Sequence, residues 1–432
     1  MNYKAKALLF LFGTIVGGTA YYFYCPKSSF VALKNSTNVE GQTSSSIRTP
    51  YEKLIQFWTK KIEADPHSAV SRIKVASLKM SLARATGDES LYGEAEKLLT
   101  EAKKLAPHRE LEISKLLASA FMSRHGFADS LELLKPFREK NPEDAELLQV
   151  EGDALLGLGK YDEALGNFSK LAKLSPTFSS WVRLAGIKDL MGEKSEAISL
   201  LEKAKDSYSK NLGPEPASWI RLRIGITYLN YGELDKAEAG FKEALQISPD
   251  YYLAQEHLAE VCEKRGEFAK AQPLLTDAIK TKHAPELILR LATVEEKLGN
   301  KEKSEDLRAQ AFSMLDGLVD SCYSCYSREV AKILLDNNMD YEKALVLAQK
   351  DFDVRPGDIE TNFILAKAFR LNNNFEKARF YIQQALRINS PRADFHIEAA
   401  KIFNALNDSD KAAAHLSLAK KINPALVDSL SI

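Results

Sequence analysis

A small residue, alanine or serine, recurs about every 34 positions along most of this 432-residue chain. Self-similarity at such a period is typical of stacked repeats, in which each unit buries its apolar face only against its neighbours. The recurrence therefore predicts a linear array of units rather than two or three compact domains. The small-residue column consists of Ala95, Ser130, Ala164, Ala197, Ala237, Ala271, Ser304, Ala344, Ala378 and Ala412.

The clearest unit spans residues 145–178 and has the pattern of two helices joined by a turn. Gly152 allows the two helices to approach closely, and Gly159 ends the first helix. Pro176 closes the unit because proline cannot continue a helix. Since no strand-like alternation of any length competes with this pattern, we predict an all-α fold.

Further residues match between units. They are Trp181, Leu184 and Ala185 in the fourth unit, Gly225, Tyr228, Gly232 and Phe241 in the fifth, and Leu365, Ala366 and Phe369 in the ninth. Over residues 67–424 this pattern resembles the tetratricopeptide repeat family. The resemblance implies a right-handed α-solenoid of about ten repeats over residues 67–432, with residues 51–66 as a lone capping helix. Lys332 and Arg308 depart from the family pattern, so we expect local irregularity in the seventh and eighth repeats.

Two intervals in the small-residue column are longer, at about 40 residues, and fall at residues 205–216 and 315–324. There we predict that the second helix of one repeat runs on before the next repeat begins.

Residues 1–26 differ from the rest of the chain. Residues 7–24 are uncharged and mostly apolar, which is close to the minimum length of a membrane-spanning helix, and they end in an aromatic cluster. We predict a single-pass membrane anchor here. The alternatives are a cleaved signal peptide, with Lys4 and Lys6 before the apolar run and small residues at 18–20, and a peripheral or buried helix.

Residues 27–50 are rich in Ser, Thr, Asn and Gly and are predicted to form a flexible linker. An anchor and a signal peptide both place the remainder of the chain beyond the inner membrane. We therefore expect the body on the periplasmic side, either tethered to the membrane or released as a soluble exported protein.

Composition and motifs argue against nucleic-acid binding and catalysis. The chain has 59 basic and 59 acidic residues, whereas affinity for a phosphate backbone needs an excess of basic side chains. Its seven histidines form no His-Glu-x-x-His motif, and there is no Gly-x-Ser-x-Gly elbow. We predict no enzyme activity, no catalytic residue, no cofactor, no metal, no nucleic-acid partner and no small-molecule substrate.

Cys322 and Cys325 are the only cysteines close enough in sequence to act together. A local disulfide, two half-buried free thiols, and redox or metal chemistry are all open for this pair. If the pair acts as a redox switch, the chain is a redox-sensitive adaptor or regulatory subunit of an enzyme complex.

In the family that the chain resembles, the first helix of each repeat lines a concave face that binds peptides or proteins. Carried onto this sequence, that face includes an apolar group, an acidic group and a basic group. The apolar group fits a peptide anchor or packing against an inward-turned neighbouring helix, and the acidic group fits a binding face or an ordinary solvated face. The residues are Trp219, Leu222 and Ile226, then Glu256, Glu260 and Glu263, then Lys367, Arg370 and Lys401 beside Phe363.

From these features we predict a non-enzymatic, membrane-tethered scaffold that binds partner proteins or peptides on its concave face. In this architecture it resembles membrane-anchored tetratricopeptide proteins of bacterial envelope assembly and secretion.

Overall fold

A computed structural model describes residues 43–86, 88, 90–207, 214–321 and 327–428. Among these residues every regular element is a helix, as the repeat pattern predicts. The α-helices are α1 (Thr43–Ala64), α2 (Ala69–Thr86), α3 (Ser90–Leu105), α4 (Glu110–Ser123), α5 (Phe127–Lys140), α6 (Ala145–Gly157), α7 (Tyr161–Leu174), α8 (Phe178–Leu190), α9 (Lys194–Asp206), α10 (Pro214–Asn230), α11 (Leu234–Ile247), α12 (Tyr252–Lys264), α13 (Phe268–Thr281), α14 (Pro285–Lys297), α15 (Lys301–Ser321), α16 (Ser327–Asp336), α17 (Tyr341–Val354), α18 (Ile359–Leu371), α19 (Phe375–Ala385), α20 (Ala393–Ala405), α21 (Ser409–Ile422) and α22 (Pro424–Asp428).

The described residues divide into two compact units, 43–175 and 176–428. The first unit contains α1 followed by the helix pairs α2–α3, α4–α5 and α6–α7. The second unit contains the pairs from α8–α9 to α20–α21, followed by the short helix α22. Within each unit a helix packs against its pair partner and against the adjacent pair, which is the arrangement of a repeat array.

The small-residue column lies where paired helices cross. Every member of the column is buried, and the most exposed of them, Ala412, retains only 7% of its surface. A larger side chain would hold the two helices apart at these points, which explains why only alanine and serine occupy them. The predicted register of the ten repeats is therefore confirmed for the column residues.

Glycine on the first helix of a pair also permits close approach. A Cβ on Gly152 would overlap the ring of Phe168 from the paired helix, and a Cβ on Gly225 would overlap the ring of Phe241 in the same way. Both phenylalanine rings are fully buried. The close approach predicted at Gly152 is thus confirmed, and the same contact recurs at Gly225.

The two long intervals are accommodated differently. Helix α15 runs on to Ser321, which confirms the predicted extension of a second helix. At the other interval the prediction is wrong, because α9 ends at Asp206 and the extra residues instead lengthen the next first helix, α10, which begins at Pro214. Proline suits the first turn of a helix, since the amide hydrogen it lacks would have no partner there.

The predicted anchor at residues 1–26, most of the predicted linker, and Cys322 and Cys325 lie outside the described residues. Within the part of the chain that the structure describes, no helix combines the length and the apolar character needed to cross a membrane. Helix α1 covers the predicted capping helix and begins earlier, at Thr43.

A buried ion pair lies between α17 and α18 in the second unit. Asp351 and Arg355 are one helical turn apart, and the guanidinium Nε and Nη2 atoms contact the Asp351 carboxylate at 2.7 and 2.6 Å. Their side chains are only 1% and 4% exposed. Thr361 of α18 donates its hydroxyl hydrogen to the other oxygen of the same carboxylate, so the pair also joins two repeats.

Candidate partner-binding surface

Ion pairs connect the first helices of successive repeats in the second unit. Their cations are Arg290 on α14, Lys367 and Arg370 on α18, and Arg392 at the start of α20. We call these four residues and their acidic partners on neighbouring first helices the charged ladder. It lies on the first-helix face, where the resemblance placed the binding surface.

The acidic group converges on Arg290. Its guanidinium contacts Glu263 at 3.1 Å, Glu256 at 3.4 Å and Glu260 at 3.9 Å. Glu260 also accepts a hydrogen bond from His257 when that ring is protonated at Nδ1, at 3.3 Å, and Lys264 lies 3.6 Å away. The predicted acidic residues are thus brought together, but one guanidinium from the next repeat offsets part of their charge.

The two outer carboxylates of the acidic group are accessible to water yet recessed. The side chains of Glu260 and Glu263 are 31% and 23% exposed, whereas Glu256 is fully buried. Burial raises the pKa of Glu263. Burial also acts to raise the pKa of Glu260, but the His257 hydrogen bond and the charges of Arg290 and Lys264 hold it below its usual range. Three carboxylates against the charges of Arg290 and Lys264 leave this end of the face with a small negative excess.

The basic group is neutralised except at one residue. The Lys367 ammonium group contacts Asp336 of α16 at 2.5 Å, and Arg370 pairs with Glu398 of α20, with a second contact at 3.2 Å. Lys401 is exposed and makes no ion pair within the described ranges. The predicted basic patch is therefore brought onto one face, and Lys401 supplies its unpaired charge.

Phe363 lies beneath an arginine. It is 7% exposed and stacks on Phe395 of the next repeat, with ring centroids 4.4 Å apart. The Arg392 guanidinium lies over both rings, 4.3 Å from the Phe395 centroid and 5.9 Å from the Phe363 centroid. Phe363 is thus nearly buried and offers a partner little aromatic surface.

The apolar group is mostly core. Leu222 and Ile226 are each 2% exposed, which matches packing against neighbouring helices rather than an open anchor site. Trp219 is half-buried beside Phe178 of the preceding repeat, at a centroid distance of 6.3 Å. Trp219 is thus the accessible member of the apolar group.

Sequence reasoning missed the ladder partners Arg290, Asp336, Arg392 and Glu398. A signal for them existed in the spacing, because each ladder pair is separated by 27 to 34 residues, which is close to one repeat. Opposite charges separated by about one repeat on first helices therefore indicate a pair across the repeat interface.

Few groups with the character of metal ligands or reactive nucleophiles come together. Cys262 is a free thiol, and burial raises its pKa, which disfavours the reactive thiolate. No cluster of three or more His, Cys, Asp or Glu side chains is arranged to hold a metal ion in the described part of the chain. His396 and His415 do meet, with their Nδ1 atoms 3.0 Å apart.

This histidine pair predicts acid sensitivity. Burial, and then the charge of His415, lower the pKa of His396 to about 4, against the opposing effect of Asp394. An unfolded histidine titrates near 6.5, so the unfolded chain binds the proton first, and stability is lost as the pH falls from about 6.5 to 4. We expect the free energy of unfolding by urea to drop by about 1–2 kcal/mol across this window, after allowance for partial exposure.

His396→Gln should remove most of that drop, whereas the same change at the exposed His67 should leave it in place. An identical pH dependence in all three proteins would show that the pair does not titrate in this way.

The family comparison agrees with the helical pairs. The sequence model of the tetratricopeptide repeat matches residues 115–177, 150–211 and 365–426. Over these three segments the chain is similar to the tetratricopeptide repeat family. The matched segments fall in both compact units and include the basic group on α18 and α20.

The chain is also similar to several known proteins, one of which is named for this repeat. Tetratricopeptide repeat protein 21B of Xenopus laevis is 24% identical over 331 residues, which cover 70% of this chain and 24% of that protein. The chain thus spans about a quarter of the length of this relative. Among solved structures, yeast Tom70 is 16% identical over 90% of this chain and 91% of its own, with a TM-score of 0.43. PilW, a type IV pilus biogenesis factor, is 17% identical over 46% of this chain and 90% of its own, with a TM-score of 0.42.

Proposed function

We propose that this chain is a non-enzymatic scaffold that binds partner proteins or peptides on the first-helix face of repeats five to ten. A tetratricopeptide fold is consistent with protein–protein interaction. The observation that supports this face most directly is its charge distribution, with a negative excess around Glu260 and Glu263 and an unpaired Lys401 further along. Such a distribution favours partners that carry opposite charges at two separated points.

The distribution also gives the partner an orientation. A basic side chain of the partner would lie near Glu260 and Glu263, and an acidic side chain near Lys401. The reversed orientation would bring like charges together, which costs binding energy. Trp219 adds an accessible aromatic surface before the acidic end of the face, since it lies on the first helix of the preceding repeat.

Trp219→Ala is the first test of this surface. Truncating an aromatic anchor can cost about 2 kcal/mol or more of binding free energy, so recovery of partners in pull-downs of the full-length protein should fall. Phe380→Ala is a matched control, because Phe380 is an exposed aromatic residue on the second helix α19. Helical content measured by circular dichroism should be unchanged in both variants.

Reversing Glu260 and Glu263 to lysine should weaken recovery mainly at low salt, since partly exposed charges act on association rate and are screened. If the Trp219 and glutamate variants capture the same proteins in the same amounts as the parent, the binding surface lies elsewhere on the chain.

We further propose that residues 7–24 tether this scaffold to a membrane with its body on the periplasmic side, where it would serve envelope assembly or secretion. The support is the uncharged apolar run and its aromatic end. Full-length protein is expected in the membrane fraction, resistant to high salt and released by detergent, with the body digestible by protease in spheroplasts. Protection of the body in spheroplasts would contradict export, and recovery of a soluble, shortened chain would favour signal cleavage.

A further inference from the structure

Two turns in the second unit lie against residues almost 200 positions further along the chain. Gly192, in the turn between α8 and α9, faces the backbone of Asn389. Gly232, in the turn between α10 and α11, faces Asn423. The second contact includes a hydrogen bond, since the Asn423 side-chain amide donates to the carbonyl oxygen of Leu229 at 3.4 Å.

The two contacts are equivalent by repeat. Gly192 and Gly232 occupy the same turn position in repeats four and five, five residues before the column members Ala197 and Ala237. Asn389 and Asn423 likewise occupy the same position at the ends of repeats nine and ten, eleven residues after Ala378 and Ala412. Successive repeats therefore meet successive repeats in register. We call these two contacts the seam.

The seam leaves no room for a side chain on either glycine. A Cβ on Gly192 would overlap the carbonyl oxygen of Asn389, and a Cβ on Gly232 would lie 2.9 Å from the Oδ1 atom of Asn423. Asn423 is only 4% exposed, and its Oδ1 accepts a hydrogen bond from the backbone amide of Leu426 at 3.2 Å. Helix α22 is thus connected to the seam through Asn423.

Backbone conformation alone does not explain these glycines. The turn position has positive φ in repeats two to seven, nine and ten, with +82° at Gly192 and +71° at Gly232. Asparagine occupies it at Asn373 and Asn407, with φ of 60° and 63°. Glycine also occupies it at residues 266 and 299, where no atom lies within 4 Å of an added Cβ. Because asparagine tolerates this conformation, positive φ does not by itself require glycine. Gly192 and Gly232 are needed because a side chain there would occupy the space that the seam residues fill.

Repeats four and five contact repeats nine and ten, so the stack between them is curved and one of its faces lies on the inside. Charged side chains indicate which face that is. Lys332 and Asp394 lie on α16 and α20, two repeats apart, and their side chains are 47% and 40% exposed. Lys332 contacts Asp336 and Asp394 contacts Arg392, so both side chains lie beside residues of the charged ladder. The ladder ion pairs draw the first helices of successive repeats together, which is the arrangement expected on the inner side of a curved stack.

We infer that the seam closes repeats four to ten into a ring whose first-helix face lines a channel. A partner too bulky for the channel reaches the ladder only when the seam opens. This inference rests on the proposed function for its biological role, but the seam and the accessibility of the face can be measured without any partner.

The test uses the full chain with Lys332→Cys as a reporter inside the channel. N-ethylmaleimide is the small probe and a polyethylene glycol maleimide the bulky one, with labelling of residue 332 distinguished from native cysteines by peptide mass. The seam is opened by Gly192→Asn with Gly232→Asn. The matched control is Gly266→Asn with Gly299→Asn, which makes the same change at open turns.

A minor open state typically holds roughly 0.1–10% of molecules, so the bulky probe should label the parent only slowly. Permanent opening in the seam variant should raise the rate of labelling by this probe about tenfold or more over the parent. Labelling by the small probe should hardly change, and the control pair should behave as the parent does. Equal rates for the bulky probe in the seam and control variants would overturn the closed ring.

A second variant covers the case in which the asparagine pair fails to fold. Gly232→Cys with Asn423→Cys should form a disulfide on mild oxidation, because the Asn423 Cα lies 3.5 Å from the Cβ position of residue 232. Absence of the 232–423 disulfide would overturn the seam. If the parent and the locked protein capture partners equally fast, the seam is not a gate. If the parent captures no partner, the proposed function is contradicted, and the labelling result alone decides whether the ring is closed.

Discussion

Replacing Arg355 with methionine is expected to lower the free energy of unfolding of the second unit by about 3–5 kcal/mol. The change keeps much of the side-chain volume but leaves the Asp351 carboxylate, which is 1% exposed, without the guanidinium that contacts it. Leaving a buried charge without its partner costs far more stability than the intact pair contributes, because neither water nor a guanidinium then stabilises the carboxylate. Arg328 also acts on Asp351 through space, so we expect a loss near the lower end of this range.

Urea unfolding monitored by circular dichroism would measure the effect. A double variant that adds Asp351→Asn removes the buried charge and should be less destabilised than Arg355→Met alone. Lys280→Met is the matched surface control, since Lys280 and Asp277 form an exposed pair at 2.8 Å that should contribute no more than about 0.5–1 kcal/mol. Similar losses at Arg355 and Lys280 would show that burial of the pair has been misjudged.

Ala237→Leu should destabilise the second unit by about 1–3 kcal/mol, with the upper end expected because the crossing is tight. Ala237 is fully buried, and its carbonyl oxygen lies 3.1 Å from the Cβ position of Gly225 on the paired helix. At the same crossing, a Cβ on Gly240 would lie 3.0 Å from the Cα of Gly225. Leucine therefore has no space to occupy unless α10 and α11 separate.

Lys236 is the neighbouring control, with a side chain that is 62% exposed. Lys236→Ala should stay within about 0.5 kcal/mol in the same urea titration. If Lys236→Ala and Ala237→Leu cost the same, the small-residue column does not set the helix crossing.

The residues that sequence predicted well are those whose role is decided within one repeat. The small-residue column and the contact of Gly152 with Phe168 follow from two helices that must cross closely, and the same steric requirement recurs in every unit. A period of about 34 residues makes that requirement visible without knowledge of the rest of the fold.

Features that depend on contacts between neighbouring repeats were harder to predict. Glu256, Glu260 and Glu263 share a helical face in the sequence, but the arginine that pairs with them lies on the next first helix. Leu222 illustrates a second difficulty, because first helices pack on more than one side and an apolar residue on them can be core rather than surface. The early start of α10 at Pro214 was also not predicted. The spacing shows that the interval is long, but it does not show whether α9 or α10 takes up the extra residues.

The charged ladder has a mechanical consequence. A repeat contacts mainly its neighbours, so each ladder pair acts on the angle between the two repeats that it joins. Lys367 and Arg370 each keep 18–19% of their side-chain surface in water, and salt weakens the attraction between such partly exposed charges. The apolar helix crossings keep their contacts at the same ionic strength. The second unit should therefore behave as a spring whose bending stiffness falls as the ion concentration around it rises.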